Sequence, residues 1–382
     1  MSFVVVPRSN VGSDNAVGEQ SNSNTNNNNT LFIGFNQDST MLAYGKDQGF
    51  RIISCAYGFC ERVFDHKFID GGISFVCFMD EDKGTVALVG GGSRPAFAMN
   101  KVVFYNYKER KVTNELICPR NIISIHSKKN LFAVVAEDMV YIFDLQTKRQ
   151  VHSWKTTLNS YGISTFIYNK QKKEYLLAIL DEQVGEVKVV TIGHENYEII
   201  SEITIRAHES SIRCVALNQD GSMLATVSEK GTLVRVFNID TGVKIHEFRR
   251  GNLAKEIYSL TFNHKGDLIS CVSRETLHVF VVDFKEWKAR LASNTENSAN
   301  SSLSTIWSYV TTTIYEPLET TPTSTFKYPN IDGVSVCTFE TNDESILVCN
   351  NKGVYVSLKF DWNSNTEPIN ADPIDKFEAL VE

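Results

Sequence analysis

Leu224-Ala225-Thr226-Val227-Ser228-Glu229-Lys230-Gly231-Thr232-Leu233-Val234-Arg235-Val236-Phe237 reads as two short strands joined by a turn, and this stretch decides the fold. β-Branched and apolar residues fill both halves, which suits a pleated surface. Turn residues bracket the pair, Asn218-Gln219-Asp220-Gly221 before it and Asp240-Thr241-Gly242 after it.

The pattern recurs. Val102-Val103-Phe104, Tyr141-Ile142-Phe143, Arg235-Val236-Phe237 and His278-Val279-Phe280 align as strand cores, with Phe positions 39, 94 and 43 residues apart. The gap of 94 holds two units. Strands that precede these cores keep the register: Leu131-Phe132-Ala133-Val134, Leu224-Ala225-Thr226-Val227 and Leu268-Ile269-Ser270-Cys271. A period of about 40–47 residues is that of a four-stranded propeller blade. The expected fold is therefore all-β, a seven-bladed β-propeller of degenerate WD repeats. The units run over 31–67, 68–118, 119–156, 157–206, 207–251, 252–329 and 330–362. Phe143-Asp144 and Phe237-Asn238 stand where a Trp-Asp pair would. A solenoid fits less well, because the units lack helices. Whether Phe3–Val6 adds a strand to the last blade stays open.

Composition sets limits. The 382 residues are 42% hydrophobic, enough for a large core, with a net charge of −7. Such a chain is repelled as a whole by nucleic acid and by anionic lipid, so any anion site is local. None of the eight cysteines pairs as CxxC, which points to buried, reduced thiols rather than a metal or disulfide framework. No apolar run reaches transmembrane length, and Phe3–Val6 is too short for a signal-peptide core. The Asn/Ser-rich residues up to 30 are expected to be mostly disordered, and 363–382 to be a tail.

Chemistry breaks the repeat at two places. Propeller strands are packed on both faces, so a charged residue inside one needs a reason. Arg235 and His278 occupy the same repeat position, two before the Phe, in consecutive blades; units two and three have Val102 and Tyr141 there. Between them lies Phe248-Arg249-Arg250-Gly251. Adjacent residues on a strand point to opposite sides. Arg249 is thus expected to join Arg235 and Arg250 to join His278, in two clefts. Guanidinium suits phosphate: planar, always charged and able to donate two parallel hydrogen bonds. Gly251 is expected to let the chain leave the edge sharply. Ser228 and Thr232 precede Arg235, and Ser273 and Thr276 precede His278. Such hydroxyls form turns or serve as neutral donors to phosphate oxygens. His208, in Ala207-His208-Glu209, serves either a structural hydrogen-bond network or a ligand.

An insertion at about 285–325 interrupts unit six, and Thr325-Phe326-Lys327-Tyr328-Pro329 is expected to return as its last strand. Within the insertion, Leu303, Ile306, Trp307, Val310 and Ile314 fall on one helical face. Trp307 suits a membrane interface, so Ile306, Trp307, Val310 and Ile314 are expected to insert there. The bland alternative is a loose loop packing back on blade six.

At these motifs the sequence resembles the PROPPIN family, the phosphoinositide-binding propellers of autophagy. Phe248-Arg249-Arg250-Gly251 is similar to the family signature. Ala225–Phe237, Glu256-Ile257-Tyr258-Ser259-Leu260, Leu88-Val89-Gly90-Gly91-Gly92 and Asn100-Lys101-Val102 resemble its surroundings. The short chain and loop look like the Hsv2-type yeast members. The resemblance implies binding of phosphatidylinositol 3-phosphate and 3,5-bisphosphate at two rim pockets. One would use Ser228, Thr232, Arg235 and Arg249, with His208 nearby; the other Arg250, Ser273, Thr276 and His278. Blade six reads Ser-Arg-Glu-Thr, one residue shorter than blade five, so Ser270 or Arg274 is an alternative donor there. The resemblance further implies an adaptor that recruits autophagy proteins, cytoplasmic and peripheral on vacuolar, endosomal and preautophagosomal membranes.

Other classes are a WD-repeat scaffold that binds only proteins, and an enzyme. No nucleophile motif, metal-ligand spacing or phosphate loop is present, so neither catalysis nor a cofactor is expected.

Overall fold

A computed structural model describes residues 3–5, 29–55, 61–66, 71–79, 84–274, 276–283, 324–327, 333–341, 343, 345–359 and 375–376. These form seven antiparallel sheets, each with its strands in sequence order. Blade five runs Ile212–Leu217, Met223–Ser228, Leu233–Asn238 and Lys244–Arg249. Blade six runs Ile257–Phe262, Leu268–Ser273, Thr276–Val281 and Ser324–Lys327. The seven-bladed β-propeller expected from the period is the fold.

The burial gradient follows from the architecture. Second strands such as Leu131–Ala136 and Leu268–Ser273 are buried at every position, because neighbouring blades cover both faces. Outer strands such as Lys111–Ile117 are mostly exposed. The turns between first and second strands repeat one device. The side-chain oxygens of Asn36, Asn218 and Asn263 accept the backbone N–H of Met41, Met223 and Leu268 at 2.9–3.0 Å. This is the Asn chemistry that closes short reversals.

The structure shows how the ring closes and where Phe3–Val5 goes. The ring closes where Ile33, Phe35 and Tyr44 of blade one pack on Val336, Leu347 and Tyr355 of blade seven. Thr30 Oγ1 donates to Asn351 O at 2.9 Å, and Ser39 and Thr338 share a hydroxyl bond of 2.7 Å across the same seam. Phe3–Val5 does not join blade seven. It pairs antiparallel with Thr30–Phe35, the innermost strand of blade one, so it lies in the axial channel. The Phe3 ring meets Phe32, Phe75 and His126, from blades one, two and three.

The rest of the Asn/Ser-rich stretch up to residue 28, the insertion from 284 to 323 with Ile306, Trp307, Val310 and Ile314, and most of the tail lie outside the described residues. Blade six is completed by Ser324–Lys327, one residue earlier than expected, with Leu277 opposite Phe326.

Candidate functional site

Packing fixes which cleft each strand residue faces. Val234, Val236 and Phe248 pack with Ile269, Cys271 and Phe280 of blade six. Leu224 and Phe237 pack with Ala178 and Val189 of blade four. By alternation Arg235 faces blade four, and so do Glu247 and Arg249 on the neighbouring strand, since Arg235 pairs with Glu247 and Leu233 with Arg249. His278 lies on the face of Phe280 and Cys271, toward blade five. The two polar anomalies therefore open into successive clefts.

In the blade-four/five cleft, Arg235 Nε donates to Glu247 Oε2 at 2.9 Å and its Nη1 to Ala207 O at 2.7 Å. Glu247 also takes Lys244 Nζ at 2.6 Å. Its carboxyl is held below the usual range, chiefly by the Lys244 bond and then by Arg235. His208 is buried and shares a 3.0 Å bond between Nε2 and Thr226 Oγ1. Burial pushes its pKa down to about 4, and the Arg235 charge adds to that. Ser228 closes the second strand, buried. Arg249 is exposed.

In the blade-five/six cleft, Arg250 is only 7% exposed. Its backbone N–H donates to Thr232 O at 2.9 Å, its Nε to Gly231 O, and its Nη2 to Leu253 O at 2.6 Å. Ser273, Thr276 and His278 form a hydroxyl–imidazole chain. Ser273 Oγ lies 2.8 Å from Thr276 Oγ1, which lies 3.1 Å from His278 Nε2. Burial pushes His278 down to about 4, and Arg250 and then Lys255 push the same way. At mildly acidic pH the free protein thus holds a neutral imidazole beside a guanidinium.

The register sorts the proposed donors. Ser228 and Ser273 are counterparts, each ending a second strand. Thr232 and Thr276 are not: Thr276 holds the place of Leu233, two residues before the polar position. Ser270 lies on the opposite face, toward blade seven, with its Oγ 3.3 Å from Cys337 Sγ, so it is no alternative donor beside Arg250. Arg274 is exposed. Gly251 is corrected as well. It lacks a left-handed φ, and a Cβ there would meet nothing within 4 Å, so the fold does not require it. The glycine that the turn does require is Gly231, at φ +64°, where a Cβ would collide with Lys255 O.

Sequence inspection missed four residues. Glu247 stands across from Arg235 and two positions before Arg249 on the same face, and Lys255 lies within electrostatic reach of His278. Leu253, 75% exposed, lies two residues after the signature. Arg51 in blade one repeats the register of Arg235. It pairs with Tyr44 and Asp65 as Arg235 does with Thr226 and Glu247, and its Nη2 is 3.0 Å from Asp65. Arg51 lies two before Ile53 rather than before a Phe, so the Phe-based alignment passes over it.

Chemically, both clefts offer hydroxyls and guanidinium groups at one end of blades five and six. Among the described residues no group of His, Cys, Asp and Glu is arranged to hold a metal. No described helix is long and apolar enough to cross a membrane.

Comparison with known proteins bears on the fold and the family. Autophagy-related protein 18 of Kluyveromyces lactis is 27% identical over 310 residues, covering 65% of this chain and 61% of that one. Autophagy-related protein 21 of Pichia angusta is 30% identical, covering 66% of this chain and 65% of that protein. The chain thus spans roughly half to two thirds of its curated relatives. The Kluyveromyces lactis Hsv2 structure superposes with a TM-score of 0.68 at 19% identity, covering 88% of this chain and 94% of that one. A complex of KlAtg21 with the coiled-coil of AgAtg16 superposes at 0.66, also at 19% identity, covering 87% and 94%. At such identity the structures speak for the fold. The PROPPIN family model matches residues 30–323, from the first strand of blade one into the insertion of blade six, and the chain belongs to the PROPPIN family.

Proposed function

We propose that this chain is a peripheral membrane adaptor that binds phosphatidylinositol 3-phosphate and phosphatidylinositol 3,5-bisphosphate through its two rim clefts. One observation carries the reading. Arg249 and Arg250 are neighbours in sequence, yet one shares a face with Arg235 and the other lies beside His278. In this reading Ser228, Thr232, Arg235 and Arg249 take one phosphorylated headgroup, with His208 supporting Arg235. Arg250, Ser273, Thr276 and His278 take the other.

Each cleft alone binds modestly. Two on one rim make the second capture local, which raises overall affinity by about 10²–10⁴. Leu253 stands at the same corner of the rim and adds apolar contact with the bilayer. Ile306, Trp307, Val310 and Ile314 of the insertion supply the deeper contact. The chain then works on vacuolar, endosomal and preautophagosomal membranes, recruiting autophagy proteins without catalysis of its own. The relative solved with a coiled-coil makes a helical partner the first to try.

The test is flotation with liposomes carrying each phosphoinositide in turn, for wild type and the Arg249→Thr/Arg250→Thr double variant. Wild type floats with the two named lipids and the double variant stays behind. Equal flotation of both proteins sinks the reading and leaves a protein-binding scaffold. Incubation with the same lipids should release no phosphate.

A further inference from the structure

We propose that Glu247 is an internal competitor for the anionic ligand of the blade-four/five cleft, and that it makes the two clefts unequal, with the blade-five/six cleft filling first. This rests on reading the clefts as phosphate sites.

Glu247 lies two residues before Arg249 on the same strand, so the two side chains share a face. It also stands across the sheet from Arg235. A carboxylate therefore shares the face of the two arginines that would hold a phosphate. It already occupies Arg235 Nε at 2.9 Å, while Nη1 is committed to Ala207 O at 2.7 Å. Two of the three guanidinium nitrogens of Arg235 are thus taken. An incoming phosphomonoester dianion must displace Glu247 or sit beside it, and like charges at such separations cost binding energy.

The other cleft has no such group at that place. In blade six the register puts His278 where Arg235 is, and Thr325 where Glu247 is. The described side-chain bonds of Arg250 go to the carbonyls of Gly231 and Leu253, which are dipoles and cancel no charge. Arg250 and Lys255 both raise the positive potential at His278. A dianion entering there meets Arg250, whose charge the two carbonyl dipoles leave in place.

There is a rival explanation on the same molecule. Arg51 and Asp65 repeat the Arg235–Glu247 register in blade one, with Arg51 just 2% exposed, as an internal ion pair. If Glu247 serves only to aim Arg235, removing it weakens the cleft. If it competes, removing its charge strengthens the cleft.

The experiment isolates each cleft. In an Arg250→Thr background the blade-four/five cleft remains; in an Arg249→Thr background the blade-five/six cleft remains. Glu247→Gln, which keeps an acceptor for Arg235, and Glu247→Ala, which removes it, are placed in both. Binding is measured by calorimetry with inositol 1,3-bisphosphate and with inorganic phosphate, and melting temperatures are checked alongside. Both substitutions should tighten inositol 1,3-bisphosphate binding about tenfold in the Arg250→Thr background, the order for a partly exposed charge beside an anion. They should change nothing in the Arg249→Thr background. Inorganic phosphate, weaker overall, should show the same gain, because the competitor acts on the dianion that both probes share. Unchanged affinity, or loss with Glu247→Ala, overturns the proposal in favour of an aiming role. A gain with inorganic phosphate alone overturns the assignment to a lipid headgroup. If wild type binds neither probe, the phosphate reading itself fails, a result distinct from the others.

Discussion

Arg250 holds the carbonyl oxygen of Leu253 at 2.6 Å, so the arginine at the centre of one cleft also fixes the loop that bears the most exposed large apolar side chain among the described residues. Lys255 N–H donates to Lys230 O at 3.3 Å and anchors the far end of that loop. Leu253 is held outward, and the cleft arginine and the exposed leucine are mechanically one unit.

It follows that Leu253→Ala weakens binding to phosphoinositide vesicles by about three- to tenfold, as expected for partial loss of a leucine's burial. Binding of soluble inositol 1,3-bisphosphate stays as in wild type. Parallel flotation and calorimetry check this; equal losses in both would mean that the loop, not the bilayer contact, had failed.

The two arginines differ in what they do for the fold. Arg249 is exposed, and Arg249→Thr should leave the melting temperature unchanged. Arg250 is buried and caps two backbone carbonyls, so Arg250→Thr should cost roughly 1–3 kcal/mol of stability. Thermal melts of the single variants separate this cost from loss of lipid binding, which both variants should show in part.

The glycines make a paired test. Gly231→Ala puts a Cβ against Lys255 O at a left-handed φ of +64°, and should lower stability by about 1–3 kcal/mol. Gly251→Ala meets nothing within 4 Å, so its melt should match wild type. Any loss of vesicle binding by Gly251→Ala would then report close approach of a ligand at that backbone.

Buried histidines set the acid limit of the fold. His278 and His208 sit at about 4, and His126 at about 3, against an ordinary 6.5. The unfolded chain takes up these protons first. The stability each contributes is present above pH 6.5 and is lost as pH falls toward 4 or 3. Melting temperature should therefore decline steadily below pH 6.5, and His278→Gln should decline less steeply than wild type between pH 6.5 and 4.5. A parallel decline in both proteins would count against His278 as a contributor. Binding that strengthens at mildly acidic pH requires a bound phosphate to lift His278 from about 4, so proton uptake on binding is its signature.

Sequence reading reached far here because the repeat is built from strand cores whose apolar content is local. Arg235 and His278 were legible because each interrupts such a core. Glu247 was not, because an acidic residue in an outer strand resembles any exposed position; its weight comes from register with Arg235, a relation across two strands. Thr232 and Thr276 look equivalent in sequence, yet the shorter blade-six turn shifts one against the other. Phe3–Val5 carries too little pattern to say which sheet it joins.

That three-residue strand has a consequence for assembly. Phe3 reaches Phe32, Phe75 and His126 on three different blades, inside a channel that exists only when the ring is shut. Residues that precede all seven blades in the sequence are therefore among the last to find their place. They act as a latch, set from within after blade seven has met blade one.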